Sequence, residues 1–279
     1  MRKLVCFCLL ACLGMVTAGA VEIYGVYNVD ANRNKLVKFD SNNVGGLTAV
    51  GDMTGMTGFT GSLEFVGADL FAYLQVAPYG LYKIDQTTGA ATLRGTGGLD
   101  PGYGINDLAL NPRDGKLYGI ATLTTAGTPQ LYTVDPASGV ATKVGVINGM
   151  AGTLPVGLAA DKDGTMYVLD LVFDKGYTLP FGSLNATGLP QGIGFAANYG
   201  QGWNIDWAGD GVLHYAAFNT APLQGEYRRV DKSTGASTLI GPFPIVPGTT
   251  YGQISDLAIV PEPATLALLG LAVLSLRRR

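Results

Sequence analysis

The 279-residue chain is 47% hydrophobic and 14% charged, with a formal net charge of −3. That balance supplies a core and excludes a disordered chain, and a pI near 5.1 leaves no basic surface for a phosphate backbone, so no nucleic acid partner is expected. Glycine, at 41 residues, is about twice its usual share without the every-third spacing of collagen.

Residues 1–20 open with Arg2 and Lys3, continue through an apolar stretch to about Val16 and end in Ala18-Gly19-Ala20. This is the pattern of a secretory signal with an A-x-A cleavage site, which implies export through the Sec machinery. All three cysteines, Cys6, Cys8 and Cys12, fall inside it. Cleavage after Ala20 therefore leaves no disulfide, thiolate nucleophile or cysteine metal site. Leu9-Leu10-Ala11-Cys12 resembles a lipoprotein box, an alternative with an unusually short apolar region before the cysteine.

From residue 21 the chain repeats with a period near fifty. Leu81-Tyr82-Lys83-Ile84-Asp85 leads to Thr88-Gly89, Thr92 and Gly95, and Leu131 to Asp135 leads to Ser138-Gly139, Thr142 and Gly145 at the same offsets. Tyr227 to Asp231 with Thr234-Gly235, Thr238 and Gly241 is a third copy, and Leu36 to Asp40 with Gly45 and Gly51 a looser one. Each reads as strand, turn, strand, with the aspartate accepting turn amides and the glycine supplying positive φ. Ahead of each lies another strand pair, such as Ile105 to Leu110, Asp114-Gly115 and Leu117 to Ile120. Ser62 to Val66, Val156 to Ala159 and Ile205 to Ala208 occupy the same place, and Ile254 to Val260 is left without a following partner.

Four strands per unit is the signature of a β-propeller blade. The expected fold is all-β, with five blades of four antiparallel strands and Ile254 to Val260 completing the three-stranded first blade, Ile23–Tyr27, Leu36–Asp40 and Leu47–Val50. Six blades is the alternative if 170–200 holds extra strands. Blade four is degenerate, with Pro180 near where an aspartate turn should fall, so an irregular outer edge is expected there. These repeats are similar to the broad group of NHL-like bacterial propellers over most of residues 22–260.

At the C-terminus Pro261-Glu262-Pro263 precedes thirteen mostly apolar residues, Ala264 to Leu276, and then Arg277, Arg278 and Arg279. As a helix the apolar run is about 20 Å long, short of the roughly 30 Å hydrocarbon layer. The ordered triplet, apolar run and arginines resemble the PEP-CTERM sorting signal of exopolysaccharide-producing Gram-negative bacteria. That resemblance implies transient inner-membrane anchoring, cleavage near the triplet by an exosortase-type enzyme, and delivery across the outer membrane to the surface or a biofilm matrix. The arginines fit retention on the cytoplasmic side. The domains are therefore a signal peptide, 1–20, a propeller, 21–260, and a sorting tail, 261–279. Without both ends the net charge becomes −7.

Aligning the innermost strands puts Glu64, Asp107, Gly157, Asp206 and Asp256 in one column. Four carboxylates converging on a channel mouth would suit a bound ligand or a calcium or magnesium ion. The other reading is that each accepts backbone amides of the neighbouring blade and locks the ring. The single histidine, His214, takes the place held elsewhere by Tyr24, Phe71, Tyr118 and Tyr167, so it reads as a packing residue, and no catalytic residue is assigned. Asp161-Lys162-Asp163-Gly164 echoes a calcium loop without the later ligands and reads as a tight turn. Aromatic side chains, Trp203 and Trp207 among them, suit sugar stacking wherever blade packing leaves them exposed. The expected function is a non-enzymatic surface or matrix module associated with exopolysaccharide. The rival is a divalent-cation-dependent lactonase or lyase using the acidic column, and a third reading is a structural filler.

Overall fold

Hydrophobic residues here come in short runs broken by Asp-Gly and Thr-Gly pairs, a pattern that favours strands buried on both sides over helices. The structure, a computed structural model, describes residues 20–30, 32–76, 79–123, 127–197, 202–205 (backbone only), 211–247, 249 and 252–261. The signal segment 1–19 and the tail from Glu262, with its three arginines, lie outside the described residues.

Blade one holds β1 (Glu22–Asn28), β2 (Asn34–Asp40) and β3 (Asn43–Asp52). Blade two comprises β4 (Glu64–Val66), β5 (Asp69–Leu74), β6 (Gly80–Ile84) and β7 (Ala91–Gly95). Blade three runs through β8 (Tyr103–Asn111), β9 (Lys116–Leu123), β10 (Gln130–Val134) and β11 (Ala141–Val146). Blade four has β12 (Pro155–Ala160), β13 (Met166–Asp170), β14 (Lys175–Leu179) and β15 (Thr187–Gly192). Blade five has β16 (Gly202–Ile205), β17 (Leu213–Asn219), β18 (Gln224–Val230) and β19 (Ser237–Pro242), and the last strand is β20 (Ile254–Ile259). The five sheets are four-stranded and antiparallel, and β20 lies beside β1 in the order β20-β1-β2-β3. This is a five-bladed propeller. The six-blade alternative fails because the described residues of 170–200 add only β14 and β15 after the end of β13.

The innermost strands touch in a ring, β4 on β8, β8 on β12, β12 on β16, β16 on β20 and β20 on β4. Each pair of neighbouring blades encloses its own apolar core. Phe71, Tyr73 and Leu81 of blade two meet Ile105, Leu108 and Leu117 of blade three, while Leu70, Ala72 and Leu74 face Tyr24, Val26 and Leu36 of blade one. Successive residues of β5 thus point into different cores, which is why the whole run Leu70–Leu74 is buried.

At the perimeter, blade twist brings the end of each outer strand against the third-to-fourth-strand hairpin of the next blade. A Cβ on Gly51 would lie 2.0 Å from the Thr88 carbonyl oxygen, and one on Gly95 would lie 1.9 Å from that of Ser138. The hairpins are fixed as the repeat implies. Asp85 accepts the Thr87 and Thr88 amides at 2.8 and 2.9 Å, and Gly89 closes the turn at φ 79°. Those hydrogen bonds, led by that of the Thr87 hydroxyl, lower the Asp85 pKa to about 2. In blade four the aspartate is missing, and Leu184 packs against the backbone at Gly145 instead.

Because the added methyl meets backbone and not a flexible side chain, Gly95→Ala is expected to cost about 3 kcal/mol. Gly67→Ala is the control, since nothing lies within 4 Å of its Cβ and only the φ of 63° opposes it, at roughly 1 kcal/mol. Urea unfolding midpoints of the two variants separate the effects.

Candidate functional site: the axial acids and the two faces

Pairing register decides which innermost residues are equivalent. Ile120 of β9 faces Asp107, Val26 of β1 faces Asp256 and Leu169 of β13 faces Gly157, so these three share a level. In blade two the same level belongs to Ser62, whose hydroxyl accepts the Tyr73 amide at 2.7 Å. Glu64 instead faces Phe71, the level at which Ala109 faces Tyr118 and Ala258 faces Tyr24. The expected single column is therefore corrected: Glu64 stands two residues further along its strand than Asp107 and Asp256. Asp206 lies outside the described residues.

The three described acids are enclosed, with Asp107 and Asp256 at 0% exposure. Each spans a blade boundary. Asp256 Oδ2 accepts the Leu63 amide of blade two at 2.5 Å. Glu64 of blade two takes the Phe65 amide at 2.8 Å and the Leu110 amide of blade three at 3.1 Å. Asp107 of blade three takes the Leu108 amide at 2.7 Å and the Leu158 amide of blade four at 2.5 Å. Asp107 and Asp256, from blades flanking blade two, also act on each other's ionisation. Burial first, then the Asp256 charge, pushes the Asp107 carboxyl well above the usual range, and burial does the same to Asp256. Burial and the neighbouring carboxyl therefore both disfavour two charges on this pair. Among the described residues no three His, Cys, Asp or Glu side chains gather as metal ligands.

His214 is buried in β17, stacked on Tyr227 at 5.9 Å and 17°, with Nδ1 hydrogen-bonded to the Tyr227 hydroxyl. It keeps the register of the aromatic column, facing Arg229 as Tyr118 faces Thr133. Asp161 to Gly164 forms a tight turn, Gly164 donating to the Asp161 carbonyl at 2.8 Å; the Asp161 carboxylate pairs with Lys232 of blade five.

The antiparallel order also sorts the connections onto two faces. Second-to-third-strand hairpins and the crossovers between blades lie together: Gly58 donates to Asn32, Gly152 to Gly127 and Thr220 to Ala196. On this crossover face the described connections hold four charged residues, Asp30, Arg33, Asp100 and Asp174. Asp30 is paired with Arg33 and Asp100 with Lys143, and burial raises the Asp174 pKa toward neutrality of its carboxyl. The opposite face carries Asp85, Asp114, Asp135, Asp161, Asp163 and Asp231 with Arg113, Lys162 and Lys232 in its turns. Both ends of the ring leave there, since Val260 donates to the Glu22 carbonyl at 3.0 Å and Ser41 to Val21 at 2.9 Å. Register and face assignment were not readable from residue order; the 43-residue step from Glu64 to Asp107, against about 50 elsewhere, was the one signal of the slip.

Asp256→Asn retains an oxygen for Leu63 and offers an N–H to Asp107 from the position of Oδ1, which takes no donor from the described residues. With its pKa raised, the folded pair binds protons more tightly than the unfolded chain, which releases them above about pH 4. The pair's contribution to stability therefore falls as pH rises from there through the raised folded values. Melting temperatures of the two proteins are expected to draw apart in favour of the variant between about pH 5 and 8 and to converge near pH 4. Parallel curves would mean that no extra proton is held.

The PEP-CTERM protein-sorting motif matches residues 260–279, which marks an exported protein handled by an exosortase-type system and sorted to the cell envelope or surface. No curated protein matches the sequence. Among solved structures, a protein of unknown function from Bacteroides thetaiotaomicron is 13% identical with TM-score 0.47, covering 78% of this chain, which spans 64% of that one. The calcium-binding protein regucalcin of Agrobacterium tumefaciens is 19% identical with TM-score 0.46 over 86% and 81% of the two chains. A chain of a nidogen/laminin complex is 10% identical with TM-score 0.49 over 87% and 98%. A second family model, a repeat of unknown function (DUF6923), matches residues 71–254, from β5 to the start of β20, and the chain belongs to that family.

Proposed function

We propose that the protein is a non-enzymatic interaction module of the cell surface or extracellular matrix, exported by the Sec route, sorted through its tail and associated with exopolysaccharide. The observation that carries this reading is the division of the ring into a face with nine charged residues in its described turns, from which the chain ends leave, and an opposite face whose described connections hold four. A tail held in a membrane next to Pro261 turns the charged face toward that membrane and the crossover face away from it. A rigid ring held this way presents a fixed surface to whatever lies beyond, which suits binding and needs no chemistry. The rival lactonase or lyase reading draws no support from Asp107 and Asp256, whose carboxyls are turned to backbone amides and to one another.

Replacing Pro261, Glu262 and Pro263 by alanine is expected to hold the protein in the inner-membrane fraction while the parent reaches the surface. The exported parent is expected to co-sediment with matrix polysaccharide extracted from the producing bacterium. Unchanged fractionation would remove the sorting step, and a parent that ignores the polysaccharide would remove the binding role. Stabilisation of the parent by calcium or magnesium and its reversal by a chelator, read as a melting shift, would revive the cation-dependent reading.

A further inference from the structure

On the charged face, the start of each blade's second strand lies beside the turn that follows its third strand, and in four blades the chain's own side chains close the corner between them. Pairing register makes Glu22, Asp69, Lys116, Thr165 and Val212 equivalent at that strand start. In blade one Lys38 reaches Glu22 at 2.9 Å, and Ser41 takes the Val21 amide at 3.1 Å. In blade two Lys83 reaches Asp69 at 2.5 Å, and Gln86 donates to the Ala68 carbonyl at 2.7 Å. In blade four the Phe181 ring would lie 2.7 Å from a Cβ on Gly164, and in blade five Lys232 Nζ would lie 3.8 Å from one on Gly211.

Blade three breaks this pattern. Thr133 stands where Lys38 and Lys83 stand, Lys116 where Glu22 and Asp69 stand, and Pro136 where Ser41 and Gln86 stand. Neither closing contact can form, because the threonine is short and uncharged and the proline ring carries no polar group. Nothing lies within 4 Å of a Cβ on Gly115. The corner is left as a cleft of about 250 Å³ whose walls include Lys116, Thr133, Asp135, Pro136, Val140 and Thr142.

The cleft holds one charge of each sign. Lys116 is 3.8 Å from the Asp114 carboxylate, with its side chain 61% exposed, so its N–H donors remain available. Asp135 is anchored by the Ser138 hydroxyl at 2.7 Å and the Ala137 amide at 2.9 Å. Those bonds hold its carboxyl below the usual range and leave lone pairs on both oxygens. Thr142 adds a hydroxyl, and Pro136 and Val140 add apolar wall.

We propose that this cleft binds one neutral sugar residue, the end or a side branch of a polysaccharide, a reading that rests on the module function above and narrows its ligand. Sugar hydroxyls donate and accept, so one ring can donate to Asp135 while accepting from Lys116 and laying its C–H face on Pro136 and Val140. The volume is below the roughly 300–1,000 Å³ of a site for a drug-sized ligand, which suits one ring and not a run of several. A uronate would meet Asp114 and Asp135 as well as Lys116 on an acidic ring, and is repelled. Blades one and three are not neighbours in the ring, so the corner from which the chain ends leave does not crowd the cleft.

The test titrates the exported protein calorimetrically with methyl glucoside and methyl galactoside as neutral probes, and with glucuronate and alanine as acidic and zwitterionic ones. Combining Thr133→Lys, Lys116→Asp and Pro136→Gln rebuilds the closed corner of blade two. That variant is expected to melt no lower than the parent while binding the neutral probes at least tenfold more weakly. Thr142→Val keeps the volume, removes one hydroxyl and is expected to weaken binding by about fivefold, the loss of one net hydrogen bond. Neutral binding that survives both changes would overturn the site. A parent that sediments with matrix polysaccharide but binds neither neutral probe would overturn the cleft and leave the module reading standing, whereas one that binds neither polysaccharide nor probe would remove both. Glucuronate or alanine bound as tightly as the neutral probes would overturn the ligand class.

Discussion

The pairing of β20 with β1 is the interaction on which the ring depends. Five wedge-shaped sheets have five interfaces only if the last strand returns to the first blade, and register from Ile23 with Ile259 to Tyr27 with Ile254 makes that return. Without it the core containing Val21, Ile23, Tyr227, Phe243 and Leu257 loses the strand between its two halves. The edge of β1 would also stand open as a template for another chain.

Two devices hold neighbouring blades together, and they act at different radii. Near the axis, carboxylates of one innermost strand take amides of the next, which satisfies buried donors that sheet pairing leaves unpaired. The cost is that Asp107 and Asp256 crowd each other. At the perimeter, glycine removes the side chain so that a strand end can rest against a turn carbonyl. Apolar packing fills the space between, and its lack of direction is balanced by these two sets of directional contacts.

The blade plan was legible because periodic apolar runs, aspartate turns and glycines agree with one another over three copies. Even the degenerate blade announced itself through Pro180. The acidic site was only partly legible. Asp107 and Asp256 could be matched by spacing, but Glu64 could not, because β4 is short and the level of the aspartates is held in blade two by Ser62, which bonds Tyr73 of its own blade, while Glu64 makes the contact to the next blade; a two-residue slip in a strand preserves the side-chain face and so leaves the alternation unchanged. That the acids are enclosed, and that two of them meet, depends on the diameter of a five-bladed ring.

The order of strands along the chain bears on export. A chain that crosses a membrane from its N-terminus delivers β1, β2 and β3 first and β20 after all other strands, so blade one waits with a bare edge while the remaining blades form. Closure and arrival of the Pro-Glu-Pro segment are then nearly simultaneous, separated by the length of a single strand. A processing enzyme working at Pro261 would accordingly meet a finished ring, and a chain stalled before β20 would present neither a closed propeller nor a sorting signal.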